Sequence, residues 1–111
     1  MRQLIGEERL LGRSTHCLED LQRAEQEGCD YLGVGPINET KTKPDLNPVG
    51  INYLYEVCEA TQLPWFAIGG INNSNLGLIR SAGAKRIAVL GAIMNASDPS
   101  KETINLLRAL E

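Results

Sequence analysis

Threonine and lysine alternate at residues 40–43, where Thr40, Lys41, Thr42 and Lys43 follow an apolar segment that ends in a Gly-Pro pair. Residues 31–34 have the apolar character of a strand. The Gly-Pro pair ends it because Gly frees φ, whereas Pro fixes φ and removes an N–H donor. Lysine ammonium groups and threonine hydroxyls at the C-terminal end of a strand are suitable donors to phosphate oxygens. The segment is therefore a candidate phosphate-binding loop, and the alternative is a solvent-exposed surface loop.

Glycine also follows two later apolar segments. Gly69 and Gly70 come after residues 64–68, and Gly91 comes after residues 87–90. Without a Cβ, backbone amides at these positions can approach an anion closely. The alternative for the Gly-Gly pair is a tight turn. Two glycine ends on adjacent strands, beside the loop at residues 40–43, favour one shared phosphate site.

Ser14 and His16 stand at the end of the first predicted strand. Ser14 is expected to face the same rim as the glycines, either as a ligand or as a helix cap. His16 is the only histidine; a general base is one role for it, and stabilising a helix start or sitting at the rim is the favoured one. Asp30, Asp45 and Asp98 have no metal-ligand spacing, so we expect no metal site within this chain.

Strands and helices alternate along the whole chain. Apolar periodicity and turn residues predict strands at residues 9–14, 29–35, 64–68 and 87–90, and helices at residues 17–27, 51–63, 74–82 and 99–110. The last helix, opened by Asp98 and Pro99, should carry Ile104, Leu107 and Leu110 on its apolar face. This alternation is typical of parallel strands joined by right-handed crossovers, with the helices outside.

Two α/β architectures have this pattern, the (β/α)8 TIM barrel and the doubly wound sheet. A complete (β/α)8 barrel takes about 250 residues, whereas this chain has 111. We therefore expect residues 1–111 to form a single unit of about four parallel β/α units, half of a barrel. Its sheet edges would be unpaired and its inner face uncovered, so it should need the other half, a second copy or a comparable cover.

Composition narrows the function classes. The apolar fraction of 42% suffices for one core, and a net charge of −3 with 5% aromatic residues argues against nucleic-acid binding. Three cysteines without a C-x-x-C pair indicate buried free thiols in a reducing compartment. No apolar run approaches bilayer length, and residues 7–9 are charged where a signal peptide would be apolar. We expect a cytoplasmic location.

Five segments occur in an order and spacing that resemble the C-terminal half of the thiamine phosphate synthase (thiamine-phosphate pyrophosphorylase) family. They are GRSTH at residues 12–16, GCDYLGVGPI at 28–37, TKTK at 40–43, AIGGI at 67–71 and AVLGAI at 88–93. The resemblance covers nearly all of the chain from Leu10 onward. It implies the C-terminal half of a (β/α)8 barrel, without the N-terminal half.

The resemblance implies a transferase that joins hydroxymethylpyrimidine diphosphate to thiazole phosphate and releases pyrophosphate. In that family Mg²⁺ and cationic groups stabilise the departing pyrophosphate. The positions matched to the thiazole phosphate site are Thr40, Lys41, Thr42, Gly70, Leu90 and Gly91. Ser14 and Lys43 would contact the pyrimidine diphosphate, with Lys43 on the pyrophosphate as the catalytic cation. The implied partners are small-molecule phosphates, with neither nucleic acid nor membrane.

The chain departs from the family pattern in three respects. Gly91 replaces the usual Ser, which removes one phosphate hydroxyl. Asn38 and Glu39 replace the common Phe-Pro before the Thr-Lys-Thr run. The Mg²⁺-binding aspartates of the family lie in the N-terminal half, outside this chain, so we expect the chain alone to be inactive.

Two alternatives remain open. One is a thiazole tautomerase, a related barrel in which a histidine near the position of His16 transfers protons and the Thr-Lys-Thr-Lys run is not kept. That run is intact here, which favours the synthase. The other is a non-catalytic half-barrel that associates with itself, or with the missing N-terminal half, and binds a phosphate ligand in a regulatory role.

Overall fold

The computed structural model describes residues 1–39 and 47–111. Over this part of the chain the strands are β1 (Gly12–Thr15), β2 (Tyr31–Val34), β3 (Trp65–Ile68) and β4 (Ile87–Ala88). The helices are α1 (Arg2–Ile5), α2 (Leu18–Gln26), α3 (Ile51–Ala60), α4 (Leu76–Ser81), α5 (Gly91–Met94) and α6 (Pro99–Leu110). The four β/α units predicted from the sequence are confirmed, and α1 and α5 are short helices in addition to them.

The four strands form one parallel sheet in the order β1-β2-β3-β4. The register pairs Ser14 with Gly33, Gly33 with Phe66, and Ile68 with Ala88. Because the strands are parallel and follow one another in space as in sequence, all four C-terminal ends lie along the same edge. The loops that leave those ends are therefore neighbours.

One face of the sheet is covered by helices. Leu32, Val34 and Ala67 are fully buried on this face. They belong to a single cluster that includes apolar side chains from four of the helices, namely Leu21, Ala24, Tyr53, Leu54, Val57, Leu76, Ile79 and Leu106. Each fully buried aliphatic side chain of this kind contributes roughly 1.5–3 kcal/mol of transfer free energy. The core therefore lies between the sheet and the helices.

The other face of the sheet is exposed, and we call it the open face. Alternation along β2 and β3 brings Tyr31, Phe66 and Ile68 to this face, with exposed fractions of 39%, 36% and 47%. The Tyr31 ring lies edge-on to Phe66, with 6.0 Å between ring centroids. A Cβ on Gly12 would lie 2.1 Å from the same ring, so Gly12 leaves room for Tyr31. Large apolar side chains in contact with water at the centre of a sheet indicate a surface that another element covers.

Several local predictions hold and several are wrong. Asp98 caps α6 by accepting from the Lys101 amide, and Pro99 is the first helical residue, as predicted. The predicted apolar face of α6 is wrong in part, because Leu106 is the buried residue while Ile104 and Leu107 are exposed. Only Cys29 is a buried thiol, and burial raises its pKa.

Cys17 and Cys58 are exposed, which corrects the prediction of three buried thiols. Cys17 is the N-cap residue of α2, so it precedes the helix, whose buried residues are Leu21 and Ala24. Cys58 lies on a helix position flanking the buried Leu54 and Val57 rather than among them. Helical periodicity alone did not separate these flanking positions from the core.

Candidate functional site

The segment with the candidate phosphate ligands is flanked by residues 35–38 and 49–50, which we call the neck. On one side, the amides of Ile37 and Asn38 donate to the carbonyls of Ile68 and Gly69, at 3.0 and 3.1 Å. On the other side, the amide of Val49 donates to the Pro36 carbonyl (2.7 Å), and that of residue 50 donates to the Ile37 carbonyl (3.2 Å). The neck is therefore held beside the C-terminal end of β3.

Gly69 and Gly70 permit this approach. Their φ values are 107° and 64°, a region that favours glycine. A Cβ on Gly69 would lie 2.6 Å from the Cα of Pro36, and a Cβ on Gly70 would lie 2.7 Å from the carbonyl oxygen of Glu39. The Gly-Gly pair is therefore both a turn and a close contact with the residue that precedes Thr40.

Two asparagine side chains bind the carbonyl of Gly70. Asn75 Nδ2 donates to it at 2.7 Å, and Asn38 Nδ2 donates at 3.3 Å. Within residues 1–39 and 47–111, the Gly70 N–H has no hydrogen-bond acceptor. Neither asparagine belongs to the site predicted from the sequence. The signal available for Asn75 was the Asn-Asn-Ser-Asn run at residues 72–75, a composition typical of a turn.

Leu90 and Gly91 follow β4, the strand next to β3. The register pairs Ile68 with Ala88, so Gly70 and Leu90 each stand two residues beyond a paired position. Gly91 begins α5, and a Cβ there would meet only Asn95 Nδ2, at 3.5 Å. The structure thus brings Gly70, Leu90 and Gly91 to the same edge of the sheet.

Ser14 lies inside β1, one residue before its end, and is exposed. Its position opposite Gly33 places it on the open face, where a Cβ on Gly33 would be 3.7 Å from Ser14 Oγ. A role for Ser14 in capping α2 is wrong, because the N-cap of α2 is Cys17. Thr15 is buried instead; its hydroxyl donates to the Gly33 carbonyl (2.9 Å) and accepts from the Tyr53 hydroxyl (2.8 Å).

His16 connects the end of β1 to the neck. Its Nδ1 is 2.5 Å from the carbonyl oxygen of Gly35. Its backbone amide donates to the carboxylate of Asp20 (2.9 Å), and this bond holds the pKa of Asp20 below its ordinary value. Of the other predicted site residues, Thr40, Lys41, Thr42 and Lys43 lie outside the described residues.

The described residues do not fit a metal ion. Across residues 1–39 and 47–111, no three His, Cys, Asp or Glu side chains are grouped so that they could hold one. Any Mg²⁺ would need ligands from elsewhere. In the same part of the chain, no helix is both long and apolar enough to cross a membrane.

The fold and this edge define a class: a parallel β/α protein of the (β/α)-barrel type with its candidate site at the C-terminal ends of the strands. The family model described as thiamine monophosphate synthase matches residues 1–93. The chain belongs to the thiamine monophosphate synthase family.

Individual relatives agree with this assignment. The chain is 66% identical over 109 residues to a thiamine-phosphate synthase of Prochlorococcus marinus strain MIT 9313, a match that covers 98% of this chain and 31% of that protein. It is 53% identical to a thiamine-phosphate synthase of Synechococcus sp. strain CC9311, with 98% and 31% covered. The chain therefore spans about a third of the length of these relatives.

A solved structure confirms the barrel-type fold. Thiamine phosphate pyrophosphorylase from Pyrococcus furiosus superimposes with a TM-score of 0.88 at 33% identity, covering 98% of this chain and 52% of that one. The predicted half of a (β/α)8 barrel agrees with this coverage and with the four parallel β/α units.

Proposed function

We propose that this chain supplies the phosphate-binding half of a thiamine phosphate synthase, an enzyme that transfers a hydroxymethylpyrimidine group from its diphosphate to thiazole phosphate. The observation that carries the proposal is the contact between the neck and the Gly-Gly pair. Because Glu39 touches Gly70, the segment that begins at Thr40 starts at the end of β3. Hydroxyl, ammonium and amide donors from separate loops then converge on one anion.

The proposed roles follow this edge. Two groups of donors hold the thiazole phosphate in this proposal. The first is Thr40, Lys41 and Thr42; the second, at the ends of β3 and β4, is Gly70, Leu90 and Gly91. Ser14, on the open face near the end of β1, contacts the pyrimidine diphosphate. Lys43 reaches the same diphosphate. In this proposal the phosphate of one substrate and the diphosphate of the other are bound on one rim.

Lys43 is the catalytic residue in this proposal. The bond between the pyrimidine methylene carbon and the diphosphate oxygen breaks, pyrophosphate leaves with the electron pair, and the thiazole nitrogen forms the new bond to the methylene carbon. The ammonium group of Lys43 stabilises the negative charge that develops on the departing oxygen. Holding both substrates in line contributes the rest. The described residues do not fit Mg²⁺, and in this proposal any such ion is held by residues of the N-terminal half.

We also propose that residues 1–111 act as one unit that is inactive alone. The open face, with Tyr31, Phe66 and Ile68 exposed, needs a cover. The other half of a (β/α)8 barrel, or a second copy of the chain, would provide it. A reducing compartment such as the cytoplasm suits the free cysteines at positions 17, 29 and 58. The substrates are small phosphates, and the net charge of −3 does not favour nucleic acid.

The test joins this chain to the N-terminal half of the Prochlorococcus marinus relative and measures the coupling rate. Lys43→Ala should lower kcat by about 10²-fold or more, the size of effect seen when one donor to a developing negative charge is removed. Lys85→Ala is the matched control, because Lys85 is exposed and precedes β4, at the opposite edge of the sheet. An unchanged rate for Lys43→Ala would remove that residue from the mechanism.

A further inference from the structure

We infer that His16 is a positioning residue that holds the neck, from which the chain continues to the candidate phosphate ligands at residues 40–43, without itself reacting. This inference rests on the proposed function for its consequence in catalysis. Its structural basis is the bond between His16 Nδ1 and the carbonyl oxygen of Gly35, at 2.5 Å. A carbonyl oxygen only accepts, so Nδ1 carries the proton and donates it.

The backbone of His16 is itself fixed. Its amide donates to Asp20 Oδ2 (2.9 Å), and the next turn of α2 starts from Cys17, whose carbonyl accepts from the Leu21 amide (3.2 Å). The imidazole therefore projects from the rigid junction between β1 and α2. A side chain anchored in this way fixes the group that it binds relative to β1.

Gly35 is the residue of the neck that His16 binds. Its amide donates to the Thr15 carbonyl (3.3 Å), while its carbonyl accepts from His16. A Cβ on Gly35 would lie 2.2 Å from the Ile68 carbonyl oxygen, so the residue is enclosed between the ends of β1 and β3. The next residues, Ile37 and Asn38, then bond to the end of β3. His16 thus supplies the side-chain bond on the β1 side of the neck.

Proton transfer at Nδ1 does not fit this arrangement. The Nδ1 proton is already donated to the main-chain carbonyl of Gly35, whereas a reacting nitrogen must face the substrate. A second nitrogen, Nε2, remains. The two roles can be separated by substitution, because an Asn amide reaches about as far as Nδ1 and a Gln amide reaches about as far as Nε2.

The first experiment measures amide hydrogen exchange in the 111-residue chain. His16→Ala and His16→Gln should accelerate exchange at the Ile37, Asn38 and Val49 amides by about 10-fold relative to the Leu32 amide, whereas His16→Asn should leave the ratio near that of the unmodified chain. Leu32 donates to the Pro64 carbonyl in the core and reports global opening. Glu59→Gln, an exposed change on α3, is the control and should alter none of these amides.

The second experiment measures coupling by the chain joined to the N-terminal half of the relative. His16→Ala should raise KM for the thiazole phosphate by about 10-fold with a smaller change in kcat, and His16→Asn should restore it. Neck amides that exchange normally in His16→Ala overturn the inference, and so does a loss of kcat that Gln restores and Asn does not. If the unmodified joined protein fails to couple, the proposed function fails while the exchange result still decides the role of His16.

Discussion

The carbonyl of Glu39 lies against Gly70, so closely that a Cβ on Gly70 would stand 2.7 Å from its oxygen. Glu39 belongs to the segment after β2, and Gly70 belongs to the turn after β3. The contact joins two loops that are 31 positions apart in sequence.

Gly70→Ala should destabilise the protein. The backbone at Gly70 has φ 64°, which costs roughly 1–2 kcal/mol for a residue with a Cβ, and the contact with Glu39 adds to it. Gly77→Ala is the matched control: Gly77 lies in α4, a Cβ there meets nothing within 4 Å, and alanine should stabilise the helix by about 0.5–1 kcal/mol. Urea denaturation measures both. Equal effects of the two changes would contradict the close contact.

Gly91→Ser should be tolerated and should strengthen phosphate binding. A Cβ at this position has only Asn95 Nδ2 nearby, at 3.5 Å, so the fold needs no adjustment. A hydroxyl aimed at a phosphate contributes about 0.5–1.5 kcal/mol, roughly a 2- to 12-fold lower KM for thiazole phosphate in the joined protein. Gly91→Ala tests whether the side chain or the hydroxyl is responsible. A KM that falls equally for Ala would show that the hydroxyl plays no part.

Arg2 and Asp30 should make stability depend on pH. Arg2 donates to Asp30 Oδ2 (2.6 Å), and the Leu11 amide donates to the same oxygen (2.7 Å); these bonds hold the pKa of Asp30 below its ordinary value of 3.8. A carboxyl with a lowered folded-state pKa stabilises above its unfolded pKa, and the effect is lost as pH falls through the folded-state value. The melting temperature of Asp30→Asn should therefore lie below that of the unmodified chain at pH 7, and the gap should narrow as pH falls below 3.8 and close once pH is below the folded-state pKa.

Glu27→Gln is the control for that measurement. Glu27 pairs with Arg13 at the surface, and such exposed pairs contribute little. Its melting temperature should stay close to that of the unmodified chain at pH 7. A constant gap for Asp30→Asn across the whole pH range would show that the ion pair with Arg2 is not what stabilises the N-terminal segment.

The open face should drive association. Sedimentation of the 111-residue chain should give a dimer or larger species, because Tyr31, Phe66 and Ile68 are exposed together beside unpaired strand edges. Phe66→Lys should shift the distribution towards monomer. Leu107→Lys, at a more exposed apolar position on α6, should not. A well-folded monomer for the unmodified chain at concentrations of tens of micromolar would contradict the need for a cover.

Much of the fold could be predicted because its signals are local. Apolar residues at periods of two or 3.6, Gly28 and Gly83 after helices, and the Asp98–Pro99 start of α6 each act within a few residues of themselves. The alternating units limit the topology to a barrel or a doubly wound sheet, since parallel strands joined by right-handed crossovers leave few arrangements. The order β1-β2-β3-β4 is that of the barrel. The family resemblance likewise needed only motifs in register.

The contacts that build the site were decided by tertiary structure. No local sequence pattern predicts that Asn75 and Asn38 both donate to the carbonyl of Gly70. The hydrogen bond from His16 Nδ1 to the carbonyl of Gly35 is equally unpredictable from local sequence. These partners come from different β/α units, and they meet only because the parallel register brings the strand ends to one edge. The exposure of Cys58 and the burial of Leu106 in place of Ile104 have the same origin: a helix's periodicity indicates that it has an apolar face, and its packing partner selects which residues form it.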